Sequence, residues 1–398
     1  MGGTIYLKLK TMHLLEDIIT YSKELFEHHF DTSPSCIGYA PGRINVIGEH
    51  TDYNFGLSMP CAINRWVAAG FSLRSDNIIF IISNDFDGEL LMEVGKEYSP
   101  SEEWQKYIYG CIKICQDILP FKTGFNVMIT GNVPVGSGVS SSAALEVAFM
   151  NGLNEIMNLK LDSLSLIKKC QQVEHEYLQV KSGLLDQYAS QFSIAGKLMV
   201  LDFLIMSHEY IDADMDGYCW VLCDSKVKRT LAGSKYSERV EETQSALENL
   251  KKLFPEIKGF RDIQEKHLSS IENPIHKKRI RHYITENIRV KDAVVALANK
   301  DLDIFGVLIY SSHISLRDDY EVSCVELDFL VEQTKGLSYC LGSRMMGGGF
   351  GGCTINLVEK KYITDFSEHI KITYSKQFNI ETEIHQYVSV DGAGVHNY

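Results

Sequence analysis

Residues 134–144 read PVGSGVSSSAA, a glycine-rich turn that connects a predicted strand, FNVMIT at 125–130, to an apolar helix. Gly136 and Gly138 permit a tight backbone turn there. The unpaired N–H groups at the start of the helix favour an anion, and a serine hydroxyl is a suitable oxygen ligand for Mg²⁺. Because no Gly-Lys-Ser/Thr follows, the stretch is not a Walker A loop. It predicts a phosphate site, with an N-capped helix after a glycine turn as the structural alternative.

A second unusual stretch, APGRINVIGEHTDYN at 40–54, places four charged or titratable side chains between two apolar runs. They are Arg43, Glu49, His50 and Asp52. Carboxylates accept hydrogen bonds whereas Arg and His donate them, so the mixture offers paired partners to neighbouring hydroxyl groups. This composition predicts a site that reads a polyol, and a solvated turn with a satisfied histidine is the alternative.

A third stretch, MMGGGFGGC at 345–353, carries five glycines in six positions. Gly347, Gly349 and Gly352 match the pattern G-x-G-x-x-G, but a dinucleotide fingerprint opens a helix, and here the β-rich CTINLV follows. We therefore reject a dinucleotide site. The glycines predict close approach of the backbone to a ligand or a neighbouring loop, with a purely structural bend as the alternative.

Strands are predicted in adjacent runs and not in strict alternation with helices, which favours an α+β fold over a doubly wound parallel sheet. The predicted strands are CIGYA, WVAAGFSL, NIIFIIS, FNVMIT, LMVLDFL, YCWVLCDS, CTINLV and a last one near 382–389. Besides the helix after the glycine turn, hydrophobic periodicity predicts helices over 12–30, 103–119, 163–178, 234–253, 275–299, 301–312, 319–335 and 360–376. Asp162 is the expected N-cap of the 163–178 helix.

The length of 398 residues predicts two domains, because single hydrophobic cores stop growing near ~250 to 300 residues. We place the boundary at residue 210. Residues 1–210 would form an N-terminal domain with the first two motifs, and residues 211–398 a C-terminal domain with the glycine-rich third motif. The last strand is a candidate to return to the N-terminal domain.

The chain has 39 basic and 52 acidic residues, a net charge of −13 with His neutral. That balance repels polyanions at long range, so nucleic-acid and anionic-membrane partners are disfavoured. Ten cysteines without a C-x-x-C pair predict buried reduced thiols. The first ten residues lack the apolar segment of a signal peptide, and no apolar run approaches the ~20 residues of a membrane span. These features predict a cytoplasmic protein, with a monomer as the favoured state.

Protein-kinase motifs are absent, since the chain has no H-R-D with a following Asn, no D-F-G and no V-A-I-K. GRINVIGEHTDYN, at 42–54, resembles instead the galactokinase signature. PVGSGVSSSAA and SRMMGGGFGGC, at 134–144 and 343–353, resemble two motifs of the family of galactokinase, homoserine, mevalonate and phosphomevalonate kinases. The order and spacing also fit, through to VDGAGV at 390–395. The resemblance implies a two-domain fold with the active site in the cleft between the domains.

The resemblance also implies roles for residues around the sugar. Asp186, in KSGLLDQYASQF, would be the catalytic base, and Arg43 would stabilise charge beside the reacting hydroxyl. The other positions that would contact the sugar are Glu49, His50, Thr51, Asp52, Gly183 and Tyr236.

For the nucleotide, the resemblance implies that the glycine and serine turn wraps the phosphates of ATP. The positions are Gly136, Ser137, Gly138, Val139, Ser140, Ser141 and Ser142, with Ser83 as a further nucleotide contact. Ser142 and Glu174 would hold Mg²⁺, which takes hard oxygen ligands. Phosphoryl transfer needs a phosphate cradle, a metal, a cation near the attacking oxygen and a proton acceptor, and the sequence offers a candidate for each.

The expected activity is therefore ATP-dependent phosphorylation of D-galactose at the anomeric hydroxyl, giving α-D-galactose 1-phosphate. Two alternatives stay open at this point. One is a kinase for a related sugar such as N-acetylgalactosamine, because the size of the pocket at C2 is not legible in the sequence. The other is a galactose sensor that binds sugar and ATP without catalysis. The intact run Ser140–Ala144 favours the enzyme.

Overall fold

A computed structural model describes Met12, residues 14–213, Met215, residues 217–227 and residues 232–398. Residues 1–11, on which the prediction about a signal peptide rests, lie outside the described residues, as does position 13 within the predicted first helix. The helices are α1 Leu15–Phe30, α2 Glu103–Ile118, α3 Ser141–Ile156, α4 Ser163–Tyr177, α5 Leu185–Phe192, α6 Ala232–Leu253, α7 Pro274–Ala298, α8 Leu302–Asp318, α9 Val325–Thr334 and α10 Ile363–Phe378. Short 3₁₀ turns span Asp52–Asn54, Phe260–Asp262, Glu265–Ser270 and Lys360–Tyr362.

The strands of the described residues form three sheets. They are β1 Cys36–Asn45, β2 Leu57–Ser58, β3 Pro60–Leu73, β4 Ile78–Ser83, β5 Glu89–Glu93, β6 Phe125–Gly131, β7 Lys197–Asp202, β8 Ser207–Asp212, β9 Tyr218–Asp224, β10 Cys340–Met345, β11 Cys353–Glu359, β12 Glu383–Tyr387 and β13 Gly394–Asn397. The sheet orders are β13-β1-β3-β6-β4-β5, β10-β11-β9-β12 and β2-β7-β8. Only the β4–β6 pair is parallel among the described strand pairs. The mixture of helices with largely antiparallel sheets confirms the α+β prediction.

The six-stranded sheet packs closely against α3, the helix that the glycine-rich turn opens. Both sides of this contact carry glycine, at Gly38 on β1 and Gly152 on α3. A Cβ added at Gly38 would overlap the carbonyl oxygen of Ala148 and lie 2.5 Å from the nitrogen of Gly152. Strand and helix backbones therefore lie in direct contact, and this fixes where the amino end of α3 lies relative to β1.

The end of the chain crosses between the sheets. Strand β12 pairs with β9 in the four-stranded sheet, whereas β13 pairs antiparallel with β1 in the six-stranded sheet, from Cys36 opposite Asn397 to Tyr39 opposite Gly394. The last few residues thus join the sheet that the amino-terminal half builds. Among the described residues, no helix is both long and apolar enough to cross a membrane.

Most predicted elements are confirmed, with ends shifted by a few residues. Asp162 caps α4 as expected, accepting a hydrogen bond from the Ser165 backbone at 2.9 Å. The predictions of helices over 301–312 and 319–335 were wrong at their boundary, because α8 continues to Asp318 and α9 begins only at Val325. The intervening residues form a turn in which the fully buried Tyr320 points inward. The sequence did not predict α5, β2, β5, β8, β10 or β13.

None of the ten cysteines, all of which lie among the described residues, forms a disulfide. Nine of them are buried, which confirms the predicted burial apart from the partly exposed Cys324.

The glycine contact between β1 and α3 gives a first prediction. Gly38→Ala is expected to lower the free energy of unfolding by ~1–3 kcal/mol, because the new methyl group can fit only if the backbone of α3 shifts. Urea denaturation of the purified protein measures the difference. Gly259→Ala is the matched control: nothing lies within 4 Å of a Cβ there and its φ of −155° suits alanine. Equal losses in the two variants would contradict the close packing.

Candidate active site

A cavity of about 260 Å³ lies where the motifs of the sequence meet. Its walls come from β1 and the loop after it, from α2, α3 and α4, from the loop between α4 and α5 with the start of α5, and from α6 and the glycine-rich loop after β10. The lining residues are Arg43, Glu49, His50, Asp52, Tyr107, Ser142, Glu174, Val180, Ser182, Gly183, Leu185, Asp186, Gln187, Tyr236, Gly347 and Gly348. Nine of the residues that the sequence singled out for the sugar, the base or the metal therefore share one cavity.

Arg43 and Asp186 form an ion pair at the centre of this cavity. The register of the β1–β3 pairing shifts between Pro41 and Arg43, and the Arg43 side chain is buried. Its Nε donates to Asp186 Oδ1 at 2.8 Å and its second terminal nitrogen lies 2.6 Å from the same oxygen. The other Asp186 oxygen accepts a hydrogen bond from the Ser140 hydroxyl. The carboxylate of Asp186, in the first turn of α5, is thus held from two sides with a third of its side chain exposed.

The glycine-rich turn before α3 is anchored to the same arginine. Arg43 donates from its guanidinium to the carbonyl of Gly138 at 2.5 Å and from its backbone nitrogen to the carbonyl of Val139 at 3.0 Å. Gly136 and Gly138 adopt positive φ angles of +78° and +81°, the region that favours glycine. Residues 136–141 do not line the cavity, whereas Ser142, in the first turn of α3, does.

Glu49 is buried and bound to a second arginine, Arg344. Arg344 donates to Glu49 Oε2 at 2.9 Å, and the backbone nitrogen of Gly347 donates to the same oxygen at 3.0 Å. Burial acts to raise the pKa of Glu49, but Arg344 and Arg43 hold it below its usual value. Glu49 therefore remains a carboxylate, tied to the loop of the third motif.

A buried carboxylate on α7 supports the backbone of the first motif. Glu286 accepts from the backbone nitrogens of Gly48 and Glu49 at 2.9 and 3.3 Å, and from the Ser312 hydroxyl at 2.7 Å. Burial opposes the effect of Arg289, but the net result lowers the pKa of Glu286 to about 2. The turn that presents the sugar-reading side chains thus rests on a fully charged group from another part of the chain.

His50 lies in a cluster of aromatic rings at the cavity wall. Its φ of +59° is uncommon for a residue with a side chain. Tyr236 on α6 and Tyr320 approach with ring centroids 5.6 and 5.0 Å from the imidazole, and the Tyr53 hydroxyl lies 2.9 Å from Nδ1. Burial lowers the pKa of His50 to about 4, against the opposing charge of Glu49. The imidazole is therefore neutral at pH 7.

The Asp52 carboxylate lies directly against the backbone of Gly183. A Cβ added at Gly183 would overlap the carboxylate oxygen Oδ2 of Asp52, so only glycine fits there. Burial, and then the charge of Asp186, raises the pKa of Asp52 to about 7. The site thus holds two neighbouring carboxyl groups, one of which is paired with Arg43.

Glu174, on α4, is a further buried carboxyl group of the cavity. It accepts a hydrogen bond from the Ser182 hydroxyl, and burial raises its pKa to about 7. Among the described residues, no three Asp, Glu, His or Cys side chains form a preformed metal cluster. Mg²⁺, however, is commonly held by one or two protein groups together with phosphate oxygens and water. Ser142 and Glu174 line the same cavity and offer one hydroxyl and one carboxylate.

Two sequence-predicted contacts lie elsewhere in the structure. Thr51 is fully buried, and its hydroxyl bonds to the carbonyls of Gly48 and Leu57 at 3.0 and 2.7 Å, which closes the turn of the first motif. Ser83, at the end of β4, accepts hydrogen bonds from the backbone nitrogens of Asp85 and Phe86. Neither side chain lines the cavity. The Thr51 side chain does not line the cavity because its hydroxyl closes the turn, whereas its neighbours His50 and Asp52 do line it.

Three family models match the chain. The galactokinase galactose-binding signature covers residues 24–73, the GHMP kinases N terminal domain covers residues 106–193 and the GHMP kinases C terminal region covers residues 293–375. A galactokinase of Staphylococcus carnosus is 37% identical over 382 residues, which cover 94% of this chain and 98% of that relative. A galactokinase of Thermotoga neapolitana is 38% identical over 358 residues, 89% and 98% of the two chains. The chain belongs to the galactokinase family.

Solved structures support the assignment of the chain to this family. The crystal structure of Lactococcus lactis galactokinase complexed with galactose is similar with a TM-score of 0.89 at 32% identity, over 94% of this chain and 99% of that one. A Methanococcus jannaschii mevalonate kinase, 19% identical with a TM-score of 0.63, shares the fold. A chain of the galactokinase family is a kinase, that is, a phosphotransferase.

The sequence did not single out every residue that shapes this galactokinase-family site. Arg344 and Tyr53 stand inside quoted motifs, and their positions beside Glu49 and His50 are now evident from the hydrogen bonds. Glu286 and Tyr320 come from distant segments without a recognisable pattern. Only the folded arrangement brings them to the first motif.

The raised pKa of Asp52 predicts a pH-dependent cost in stability for this galactokinase-family protein. The folded state keeps the Asp52 proton up to about pH 7, whereas the unfolded chain loses it near pH 3.8. Wild type therefore loses stability as the pH rises through this window. Asp52→Asn should be more stable than wild type at pH 8, by at most about 4 kcal/mol, and should match it below pH 4. Urea denaturation without ligand at several pH values measures this.

The control for this experiment is Asp212→Asn. Asp212 is exposed and hydrogen-bonded to Lys197, which lowers its pKa. Removing that carboxylate should bring no gain at pH 8, because its folded-state pKa is shifted in the opposite direction. Equal stability of Asp52→Asn and wild type at pH 8 would contradict the assignment.

Proposed function

We propose that the chain transfers the γ-phosphoryl group of ATP to the anomeric hydroxyl of D-galactose, giving α-D-galactose 1-phosphate and ADP. The observation that carries this proposal is the contact among Arg43, Asp186 and Ser140. It places a carboxylate, a guanidinium and the start of the phosphate turn within one hydrogen-bonded group. The 37% identity to a galactokinase over nearly the whole chain supports the choice of galactose.

In this reaction Asp186 accepts the proton of the anomeric hydroxyl. The oxygen forms a bond to the γ-phosphorus, the bond between that phosphorus and the bridging oxygen of ATP breaks, and ADP leaves with the bonding electrons. Asp186 is a partly exposed carboxylate that lines the cavity, and Arg43 holds it in place at 2.8 Å. Arg43 would also stabilise the negative charge that grows on the attacking oxygen, which lowers the barrier.

Ser140 and Ser142 connect this chemistry to the nucleotide. Ser140 bonds to Asp186, and the N–H groups at the start of α3 are available to phosphate oxygens. Ser142 and Glu174 would hold Mg²⁺, which supplies charge neutralisation at the phosphates when it is bound. The raised pKa of Glu174 suits this role. No cation compensates the charge of this buried carboxyl group in the free protein, so a bound cation would stabilise its charged form strongly.

The hydroxyl groups of the sugar would be read by the groups around Asp52. Glu49 and Asp52 accept hydrogen bonds, His50 and Tyr236 complete the wall, and Gly183 leaves the backbone accessible. A site that pairs each hydroxyl leaves polar groups buried and unpaired when an epimer binds. Thr51 supports the turn of the first motif.

Three further expectations stay predictions. They are a contact of Ser83 with the nucleotide, a cytoplasmic location and a monomeric state.

A coupled assay of ADP release over several sugars tests the proposal. Galactose should be turned over, and glucose, which differs only at the 4-hydroxyl, should have a kcat/KM about 30-fold to 10⁴-fold lower. A higher kcat/KM for N-acetylgalactosamine than for galactose would point to the related sugar kinase. Binding of galactose and ATP without any ADP release would point to a sensor.

Asp186→Asn should lower kcat by ~10² to 10⁴ while ATP still binds, because general-base catalysis contributes about that factor. The change is nearly isosteric. The amide oxygen can still accept from Arg43, and the amide NH₂ can donate to the Ser140 hydroxyl, so the fold should persist. Steady-state kinetics and equilibrium ATP binding measure the two effects, and thermal denaturation confirms that the variant is folded. A kcat near that of wild type would remove Asp186 from the mechanism.

A further inference from the structure

A chain of hydrogen bonds leads from the cavity wall into the second half of the molecule. His50 Nδ1 lies 2.9 Å from the Tyr53 hydroxyl, and Tyr53 lies 2.8 Å from the Tyr320 hydroxyl. Tyr320 lies 2.9 Å from Thr243 Oγ1, which in turn donates to the Arg239 carbonyl at 2.6 Å. We call Tyr53, Tyr320 and Thr243 the hydroxyl chain. It connects the first motif, the turn between α8 and α9, and helix α6.

The far end of the hydroxyl chain is closed to water. Thr243 and Tyr320 are fully buried, and His50 is buried as well. Burial raises the pKa of Tyr53 and of Tyr320, so both phenols keep their protons at neutral pH. Each of the three hydroxyl groups therefore carries one proton and can donate one hydrogen bond.

This count fixes the direction of every bond. A carbonyl oxygen only accepts, so Thr243 uses its proton on Arg239 and must accept from Tyr320. Tyr320 then has no proton for Tyr53 and accepts from it. Tyr53 in turn has no proton for His50, and the last bond runs from the imidazole Nδ1–H to the Tyr53 oxygen. A carbonyl on α6 thereby decides where the proton of His50 is placed.

The other nitrogen of His50 is left as a bare acceptor. The imidazole is neutral at pH 7, so it carries one N–H, which the hydroxyl chain places at Nδ1. Nε2 is buried and has no hydrogen-bond partner among the described residues. The Gly348 backbone acts to raise the pKa of His50, as an acceptor near a ring N–H does, and so it favours a proton on Nε2. No hydrogen bond of normal geometry joins it to Nε2, whereas the hydroxyl chain contacts Nδ1 at 2.9 Å, and we therefore take the hydroxyl chain as decisive.

We propose that the hydroxyl chain holds His50 in its Nδ1–H form, so that Nε2 presents a lone pair that accepts a hydroxyl hydrogen of the sugar. Tyr53, Tyr320 and Thr243 are then positioning residues for sugar selection. The part of this proposal that concerns the sugar rests on the proposed function. The part that concerns the tautomer does not, because it follows from hydrogen bonds within the chain itself.

Tyr320→Phe gives the sharpest test of the tautomer. Without the Tyr320 hydroxyl, the Tyr53 proton loses its acceptor and turns to His50 Nδ1, since an unpaired buried donor is costly. The imidazole must then carry its proton on Nε2. ¹⁵N NMR of the histidine-labelled, unliganded protein distinguishes the two forms, and the His50→Gln spectrum assigns the resonance among the 13 histidines. We expect Nδ1–H in wild type and Nε2–H in Tyr320→Phe.

Two matched controls separate this effect from general loosening of the core. Tyr374→Phe removes another buried phenol, whose 2.8 Å bond to the Ser225 carbonyl lies outside the hydroxyl chain, and should leave His50 in the wild-type form. Thr243→Ser keeps the terminal hydroxyl and should also keep that form. Nε2–H or a doubly protonated ring in wild type at pH 7 would overturn the proposal, and so would an unchanged tautomer in Tyr320→Phe.

Calorimetric binding of deoxy- and fluorogalactoses tests the sugar contact. Neither a hydrogen nor a fluorine in place of a hydroxyl group can donate a hydrogen bond. For the hydroxyl group that contacts Nε2, the deoxy sugar and the fluoro sugar should therefore both bind wild type roughly 5-fold to 150-fold more weakly than galactose. In Tyr320→Phe, where Nε2 carries a proton, the loss for that fluoro sugar should shrink. If every fluoro sugar binds wild type as galactose does, Nε2 is not an acceptor. Absence of phosphorylation with the expected NMR result would overturn the proposed function and leave the tautomer assignment standing.

Discussion

A fully buried guanidinium, that of Arg344, is the constraint on which the arrangement of the site depends. It stands at the end of β10 and donates to the carbonyls of Asn45 and Val46, to the carbonyl of Met345 and to the carboxylate of Glu49. A charge so far from water is stable only when its donors are paired, and removal of one partner typically costs several kcal/mol. The first motif and the glycine-rich third motif are therefore held at a fixed distance, whatever their separation in the chain.

Four carboxyl groups in and around the cavity fall into two pairs with opposite pKa shifts. Glu49 and Glu286, which hold the backbone of the first motif and the third, have lowered pKa values because arginines lie beside them. Asp52 and Glu174, which face the cavity, have values raised to about 7, because burial and neighbouring carboxylates disfavour their charge. Glu49 and Glu286 thus stabilise the fold, whereas Asp52 and Glu174 lower its stability until a ligand compensates their charge.

The phosphate turn and the proposed base depend on each other through Arg43. The guanidinium binds Asp186 on one side and the Gly138 carbonyl on the other, while Ser140 closes the triangle from the turn to the carboxylate. Displacement of the turn would therefore also displace the base. The hydroxyl chain provides a comparable connection for His50, since its direction is set by the Arg239 carbonyl on α6, a residue that does not line the cavity. Both arrangements position a reactive or selective group through the fold around it.

The sequence by itself determined the α+β class, most helices and strands, and the three motifs that meet at the cavity. It did so because apolar periodicity and glycine-dependent turns are local properties, and because the motifs resemble those of a known family. It missed the short helix α5, although Asp186 was named, since eight residues are fewer than the ~11 to 18 over which helical periodicity is recognised. The tertiary structure alone decided that Thr51 closes a turn, that Arg344 and Glu286 support the first motif, and that Tyr320 reaches His50. These are contacts between residues more than 200 positions apart or in irregular turns, where pairing depends on three-dimensional proximity that no local pattern encodes.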